Sequence, residues 1–394
     1  MAPKKVIAIS SEADGGLSQT IAKITDTRKA LLEEYGKKHN CPWVVAYSGG
    51  KDSTLLLHLI FDMILQLSPA ERKRDVHVVG NDTLVESPLV IEHLHHSMKE
   101  VKKAAEKYNL PIRTMVTSPD IDQTYWVNVI GRGYAPPSRM FRWCTDRMKI
   151  QPTNGYILRR VSEHGRVILL IGARKSESTN RKRTMDKYYR KGSRLSKHPS
   201  LAKCSMFSPL ADLTTEEVWM TLLQMRPPWG GTYRKLITLY RNARGGGGEC
   251  PLVLSKEDAP SCGTTSPRFG CWTCTVVEKD RSMSGLVDSG FEEFEPMLEF
   301  RDWLQSIRGD VSRRMRTRRN GTVIYKNGKV MYGPFTLDTR REILHKLGGV
   351  EERMKRPLIS RDERDYIDYI WKEDAVLDKI RSRSYLGQGE NRYA

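Results

Sequence analysis

Tyr47-Ser48-Gly49-Gly50-Lys51-Asp52-Ser53-Thr54 is the stretch whose reading decides the fold. It follows the apolar run Trp43 to Ala46 and precedes Leu55-Leu56-Leu57-His58-Leu59-Ile60, a pattern that predicts a buried strand, a tight glycine turn and a helix. Adjacent glycines let backbone N–H groups approach an oxyanion closely, and the start of a helix adds its positive dipole end. Ser48, Ser53 and Thr54 bring hydroxyl donors and Lys51 a point charge, so phosphate is the natural guest. The spacing is not that of a Walker A loop, whose glycines stand further apart.

Outward from this loop, strand and helix patterns alternate. A surface helix is expected over Leu17 to His39, and the helix entered at Ser53 should stop at Ser68-Pro69. Strands are expected at Val76 to Thr83, Ile112 to Val116 and Val167 to Gly172, with a helix from Pro88 to Tyr108 between the first two. The alternation predicts an α/β fold with a doubly wound, mostly parallel sheet. Ligands of such sheets bind at the carboxyl ends of strands, which makes Asp82, Thr83, Gly172 and Arg174 candidate nucleotide contacts beside Ser48, Gly49, Gly50, Lys51, Asp52 and Ser53. Asp82 suits capping of the next turn equally well. Thr124 to Arg142 is long and non-periodic, as functional loops often are. Thr214-Thr215-Glu216-Glu217 has the form of a capping box and predicts a helix to about Met225.

The chain divides by pattern into a helical segment over 1–40, a nucleotide domain over 41–235, a cysteine-rich segment over 236–300 and a basic extension over 301–394. That extension should hold a helix over Met297 to Ile307, a small hairpin at the Asn320-Gly321 and Asn327-Gly328 turns, and helices at Asp338 to Leu347 and Ser360 to Ile380, with a disordered last dozen residues. A formal charge of +19 points to a polyanionic partner, nucleic acid first. Arg181 to Lys197 carries eight Lys/Arg against one acid, with Tyr188 and Tyr189 among them, and reads as a mobile surface loop clamping a phosphate backbone. Arg313 to Arg319 holds five arginines in seven residues and reads as a DNA-backbone contact or a docking surface. No apolar run is long enough to cross a bilayer and Met1 to Ser11 is no secretory signal, so a cytoplasmic protein without a membrane partner is expected.

Seven cysteines in that compartment favour metal or sulfur chemistry over disulfides. Cys250, Cys262, Cys271 and Cys274 fall within 25 residues, and the last two form a Cys-x-x-Cys, while Cys144 lies upstream. Zinc and an iron–sulfur cluster both accept four thiolates at such spacing. Cys41 and Cys204 sit beside strand patterns and read as core residues.

The loop resembles the PP-loop of ATP pyrophosphatases, Ser-Gly-Gly-x-Asp-Ser, in which the loop grips the pyrophosphate end of ATP while a substrate oxygen attacks the α-phosphate. With Arg174 to Ser178 and the Cys144 region followed by Lys149-Ile150-Gln151-Pro152, the chain is similar to the phosphoadenylyl-sulfate reductase family. That resemblance implies a [4Fe–4S] cluster on Cys144, Cys262, Cys271 and Cys274, with Cys250 as the alternative to Cys262 and Zn²⁺ as the alternative metal. Those reductases carry a late nucleophilic cysteine, and none follows Cys274 here.

Further blocks resemble the DndC type of DNA phosphorothioation protein. They are Trp126-Val127-Asn128, Gly131-Arg132-Gly133-Tyr134, Phe141-Arg142-Trp143-Cys144-Thr145, residues 242–253, Arg268 to Cys274 and Glu278-Lys279-Asp280. The resemblance implies exchange of a non-bridging phosphate oxygen of DNA for sulfur. It also implies ATP and Mg²⁺ at the loop, Lys51, Asp52 and Arg174 as catalytic groups, and an IscS-like cysteine desulfurase and other phosphorothioation proteins as partners. Sulfonucleotide reduction, tRNA thiolation and an ATP-holding nucleic-acid-binding subunit are the alternatives.

Overall fold

The computed structural model describes residues 11–188, 192–243 and 270–389. Six strands form the main sheet: β1 (Trp43–Ala46), β2 (Val76–Asn81), β3 (Ile112–Thr117), β4 (Val167–Leu170), β5 (Leu195–Lys197) and β6 (Cys204–Phe207). Their order is β3-β2-β1-β4-β6-β5, parallel throughout except for the antiparallel β5 at the edge. The expected doubly wound sheet is present.

Alternation along the strands sorts side chains to two faces. Trp43 and Val45 of β1, Val76 and Val78 of β2 and Ile168 and Leu170 of β4 enter one core. Helices α1 (Ser11–Tyr35), α2 (Lys51–Gln66) and α3 (Pro88–Lys107) cover that face. Val44, Val79, Val167 and Leu169 point the other way, onto Tyr156 and Ile157 of α5 (Gln151–His164), which is reached through α4 (Trp143–Thr145). Chain direction across the sheet therefore reverses between β1 and β4. In open α/β sheets the crevice outside the carboxyl ends at that reversal is where ligands bind.

A second core lies beyond this edge. The segment 125–148 contributes Tyr125, Trp126, Val127, Ile130 and Trp143, and Trp272 joins them from the Cys-x-x-Cys. Helices α10 (Glu295–Ile307), α11 (Leu337–Met354) and α12 (Arg361–Gly389) close around these residues with Phe300, Ile343, Ile367 and Ile370. Trp126 Nε1 donates to the Leu358 carbonyl at 2.8 Å, and Trp371 Nε1 to that of Ile130 at 3.1 Å. Gly133, at φ +72°, lets the loop pass close to Pro334 and Phe335, where a Cβ would meet the Phe335 carbonyl oxygen and the Pro334 ring, each at 2.9 Å. The C-terminal extension thus completes the core under the non-periodic loop.

The remaining helices are α6 (Thr179–Tyr188), α7 (Thr215–Gln224) and α8 (Arg234–Asn242), the last two packed into the first core, and α9 (Arg281–Asp288), packed into the second. Thr214 and Glu217 exchange both capping-box bonds at the start of α7, as the sequence pattern predicts. The hairpin forms as β7 (Ile324–Lys326) and β8 (Lys329–Met331). Two expectations are corrected. Arg181 to Lys197 is not a loop throughout: α6 occupies its start, because charged residues of good helix propensity form an exposed helix without needing a buried face, and β5 its end. Of the last dozen residues, 383–389 continue α12, and 390–394 lie outside the described residues.

Candidate nucleotide and thiol site

The loop after β1 is built as a cradle. Gly49 takes φ +73°, and Gly50 is the N-cap of α2 with no side-chain cap bond, so the helix start can receive an anion. Ser48 and Ser53 brace the turn with hydroxyls 3.1 Å apart, and Ser53 Oγ donates to the Gly50 carbonyl at 3.0 Å. Lys51 is buried, its Nζ 3.5 Å from Asp52 Oδ2 and 5.4 Å from the centre of the Tyr240 ring. Tyr240, on α8, presents its hydroxyl to the amide of Lys51 at 3.3 Å. Its oxygen stands where a phosphate oxygen would accept the same bond.

Behind the cradle, Arg174 is 1% exposed and donates from Nε to Asp52 Oδ1 at 2.6 Å. Its remaining donors reach Ser176 Oγ at 2.9 Å, Thr215 Oγ1 at 3.1 Å and the Leu213 carbonyl at 3.4 Å. Arg174 and Asp52 therefore form an ion pair that fixes the first turn of α2 to the end of β4. Gly172 is part of the same junction, since a Cβ there would lie 2.9 Å from the carbonyl of Asp52. All three residues are at the loop, and their contacts in this structure are with protein.

Asp82 and Thr83, at the end of β2, face different neighbours. Asp82 accepts from the amide of Leu84 at 2.8 Å and lies 3.4 Å from His95, the capping arrangement. Thr83 is fully buried, bonded to Glu86 Oε1 at 3.1 Å and 3.3 Å from Cys271 Sγ. Trp272 N donates to the Val85 carbonyl at 3.0 Å, so the Cys-x-x-Cys is clipped to the loop that follows β2. Glu86 also accepts from Lys149 at 3.0 Å. Burial pushes the Cys271 thiol well up, Glu86 adds to the rise, and Lys149 opposes it. Burial raises Cys144 too, with Cys274 the next cause, and both act on the buried Tyr125 together with Cys271.

Of the predicted thiols, Cys144 and Cys271 pack against the second core, and Cys274 follows the buried Trp272 by two residues. Cys250, Cys262 and the Gly245 to Gly248 connector lie outside the described residues. Soft thiols in an aromatic shell beside an ammonium suit an iron–sulfur cluster or zinc by donor chemistry. Among the described residues, no group of three His, Cys, Asp or Glu side chains is assembled to hold a metal. Cys204 is a core residue at the start of β6, its thiol raised to about 11 by burial, and Cys41 packs against the first core. Tyr240 and Glu86 carry no local signal as site residues, because helix packing and the clip at Trp272 bring them in.

The arginine cluster is largely spent internally. Arg313 pairs with Glu342, Arg319 reaches Asp374 at 2.6 Å, and Arg314 donates to the Gly333 carbonyl at 2.8 Å over the Phe335 ring. Arg316 remains exposed, as does most of α6.

A strand, a two-glycine loop and a helix at the switch point of a doubly wound sheet define the PP-loop, adenine nucleotide α-hydrolase-like fold. The sequence profile of the phosphoadenosine phosphosulfate reductase domain matches residues 42–277, more than half of the chain, and the chain belongs to that family. An uncharacterized protein of Methanocaldococcus jannaschii is 26% identical over 194 residues, 49% of this chain and 34% of that relative's length. The chain therefore spans about a third of the curated relative it matches. Solved structures similar to it include the phosphoadenylyl-sulfate reductase of Candida auris at 16% identity and TM-score 0.32, covering 56% of this chain and 89% of that one. The U34-tRNA thiolase NcsA of Methanococcus maripaludis with its [4Fe–4S] cluster matches at 15% identity and TM-score 0.32, over 54% and 70%. The FMN adenylyltransferase of Candida glabrata matches at 14% and 0.36, over 60% and 64%. No helix among the described residues is long and apolar enough to cross a membrane.

Proposed function

We propose that this protein is an ATP-dependent sulfurtransferase acting on DNA. The observation that carries the reading is the shared edge: the phosphate cradle follows β1, and one thiol, Cys271, is 3.3 Å from Thr83 Oγ1 at the end of β2, the parallel neighbour. A nucleotide held by its phosphates at the first would have its α-phosphate at the same sheet edge as the second.

In this reading a non-bridging oxygen of a DNA phosphate attacks the α-phosphorus of ATP. The bond from that phosphorus to the α–β bridging oxygen breaks, and pyrophosphate leaves into the amides of residues 49–51 and the ammonium of Lys51. The DNA phosphate now carries AMP, a good leaving group. The terminal sulfur of a persulfide, supplied by an IscS-like cysteine desulfurase with other modification proteins, attacks the DNA phosphorus and expels AMP. A second thiol then cleaves the S–S bond, forming a disulfide and releasing the phosphorothioate. Asp52, held by Arg174, orients the loop, while Mg²⁺ accompanying ATP offsets phosphate charge. Cys144, Cys271 and Cys274, with Cys262 or Cys250, would hold a [4Fe–4S] cluster or Zn²⁺, whose chemistry is to bind and polarise sulfur.

Family membership favours a second reading, reduction of adenylyl or phosphoadenylyl sulfate to sulfite at the same loop. One experiment separates them. Purified protein is supplied with ATP, cysteine and a desulfurase together with DNA, and in parallel with tRNA or with adenylyl sulfate in its place; pyrophosphate, sulfite, labelled sulfur in tRNA and nuclease-resistant phosphorothioate dinucleotides are quantified. Pyrophosphate and the dinucleotides should appear with DNA, and Lys51→Ala should abolish both. Sulfur recovered only in tRNA, sulfite formed from a sulfonucleotide, or pyrophosphate release that survives Lys51→Ala would overturn the assignment.

A further inference from the structure

Arg139-Met140-Phe141-Arg142 stands exposed immediately before the first thiol of the site. Met140 is 95% exposed and Phe141 54%, which is unusual for two large apolar side chains side by side. The segment is nonetheless held firmly. Ser138 and Phe141 exchange backbone bonds at 3.1 and 3.2 Å, and Ser138 Oγ accepts a further bond from the Phe141 amide at 3.1 Å. On one flank Pro137 accepts from the buried Thr275 hydroxyl at 2.6 Å and from Arg308 at 3.3 Å. On the other, Trp143 stacks on Tyr125 at 5.7 Å, meets Tyr134 edge-on at 5.7 Å and donates to the Ala135 carbonyl at 3.0 Å. Thr275 directly follows Cys274, so the root of this knuckle and the thiol pair are tied together.

We infer that this knuckle is a nucleic-acid wedge: Met140 and Phe141 insert at a base step while Arg139 and Arg142 take the phosphates on either side. Apolar side chains presented by a firmly bonded turn are what unstacks a step, and flanking guanidiniums are what holds the backbone. Arg139 and Arg142 flank the tip and no acid interrupts residues 135–145, a local charge pattern that favours a polyanion over a protein partner. Met140 is four residues from Cys144, a reach of at most ~14 Å, which puts the distorted phosphate near the thiols. The inference rests on DNA being the substrate, and it adds how a phosphate inside a duplex is brought to the site.

The test uses the full chain and a duplex oligonucleotide carrying 2-aminopurine, with anisotropy measured across a salt series. Wild type should bind and raise the 2-aminopurine emission as the base unstacks. Met140→Ala with Phe141→Ala should abolish the rise and weaken binding by about fivefold to a hundredfold, with the salt dependence unchanged. Arg139→Gln with Arg142→Gln should reduce the slope of log K against log salt by about 2. All side chains replaced are exposed, so circular dichroism melting curves should match wild type. Wild type that binds DNA, with both variants indistinguishable from it, overturns the wedge and leaves the DNA reading standing. Wild type that binds no DNA overturns both. Variants that lose a cysteine desulfurase rather than DNA make the knuckle a protein-docking surface and overturn the wedge.

Discussion

Tyr240 is the residue on which the cradle's state turns. Its hydroxyl takes the bond from the Lys51 amide that a phosphate oxygen would take, and its ring, packed edge-on against Trp219 at 4.9 Å, lies under the Lys51 ammonium. A hydroxyl in that place competes with ligand, while the ring supports Lys51 whether or not ligand is bound. Tyr240→Phe keeps the ring and its packing and frees the amide. Titration calorimetry with pyrophosphate should then show binding tightened by about twofold to tenfold, the value of one net hydrogen bond. Weaker binding would mean that the hydroxyl donates to the phosphate instead.

At the scale of elements, the junction between α2 and β4 decides whether the cradle keeps its shape. The turn after β4 approaches the first turn of α2 so closely that only Gly172 fits, and Arg174 pins Asp52 from the same strand end. Gly172→Ala must push backbone against backbone, where no flexible side chain can yield. Its expected effect is a loss of ATP affinity of about tenfold or more together with destabilisation of about 1–3 kcal/mol, read by calorimetry and by thermal melting. An unchanged ATP affinity in a folded Gly172→Ala protein would show that the junction does not shape the loop. The knuckle over 138–142 follows the same logic: its tip is free because its root is bonded on both sides.

The whole molecule is held by two cores that meet at the carboxyl edge of the sheet, and the first has an acid-sensitive interior. His58 is 4% exposed, 2.7 Å from the Tyr233 hydroxyl, and burial lowers its pKa to about 4; burial also lowers that of His93 to about 4. The unfolded chain takes up these protons near pH 6.5, whereas the folded protein refuses them until about pH 4. Stability is therefore full above pH 6.5 and is lost as pH falls toward 4, by roughly 2–4 kcal/mol for each histidine. His58→Gln preserves a bond to Tyr233 and should flatten the melting temperature across that window; an unaltered slope would exclude His58 as a source.

The strand, two-glycine turn and helix start were legible in eight consecutive residues because a turn of that kind needs only neighbouring residues of the right types. The doubly wound sheet was legible for a similar reason, since strand alternation and helix period are local patterns. What lay beyond reach came from residues far apart in the chain. Tyr240 meets Lys51 across 189 positions and Thr83 meets Cys271 across 188, so no spacing announces either contact. The arginines of 313–319 looked like a free basic face, and side chains of α11 and α12 neutralise two of them. The sequence alone determined a PP-loop on a parallel sheet and the positions of the cysteines along the chain. Only the tertiary structure decided that loop and thiols share neighbouring strand ends, because two hydrophobic cores, each gathered from distant segments, fold those ends onto one edge.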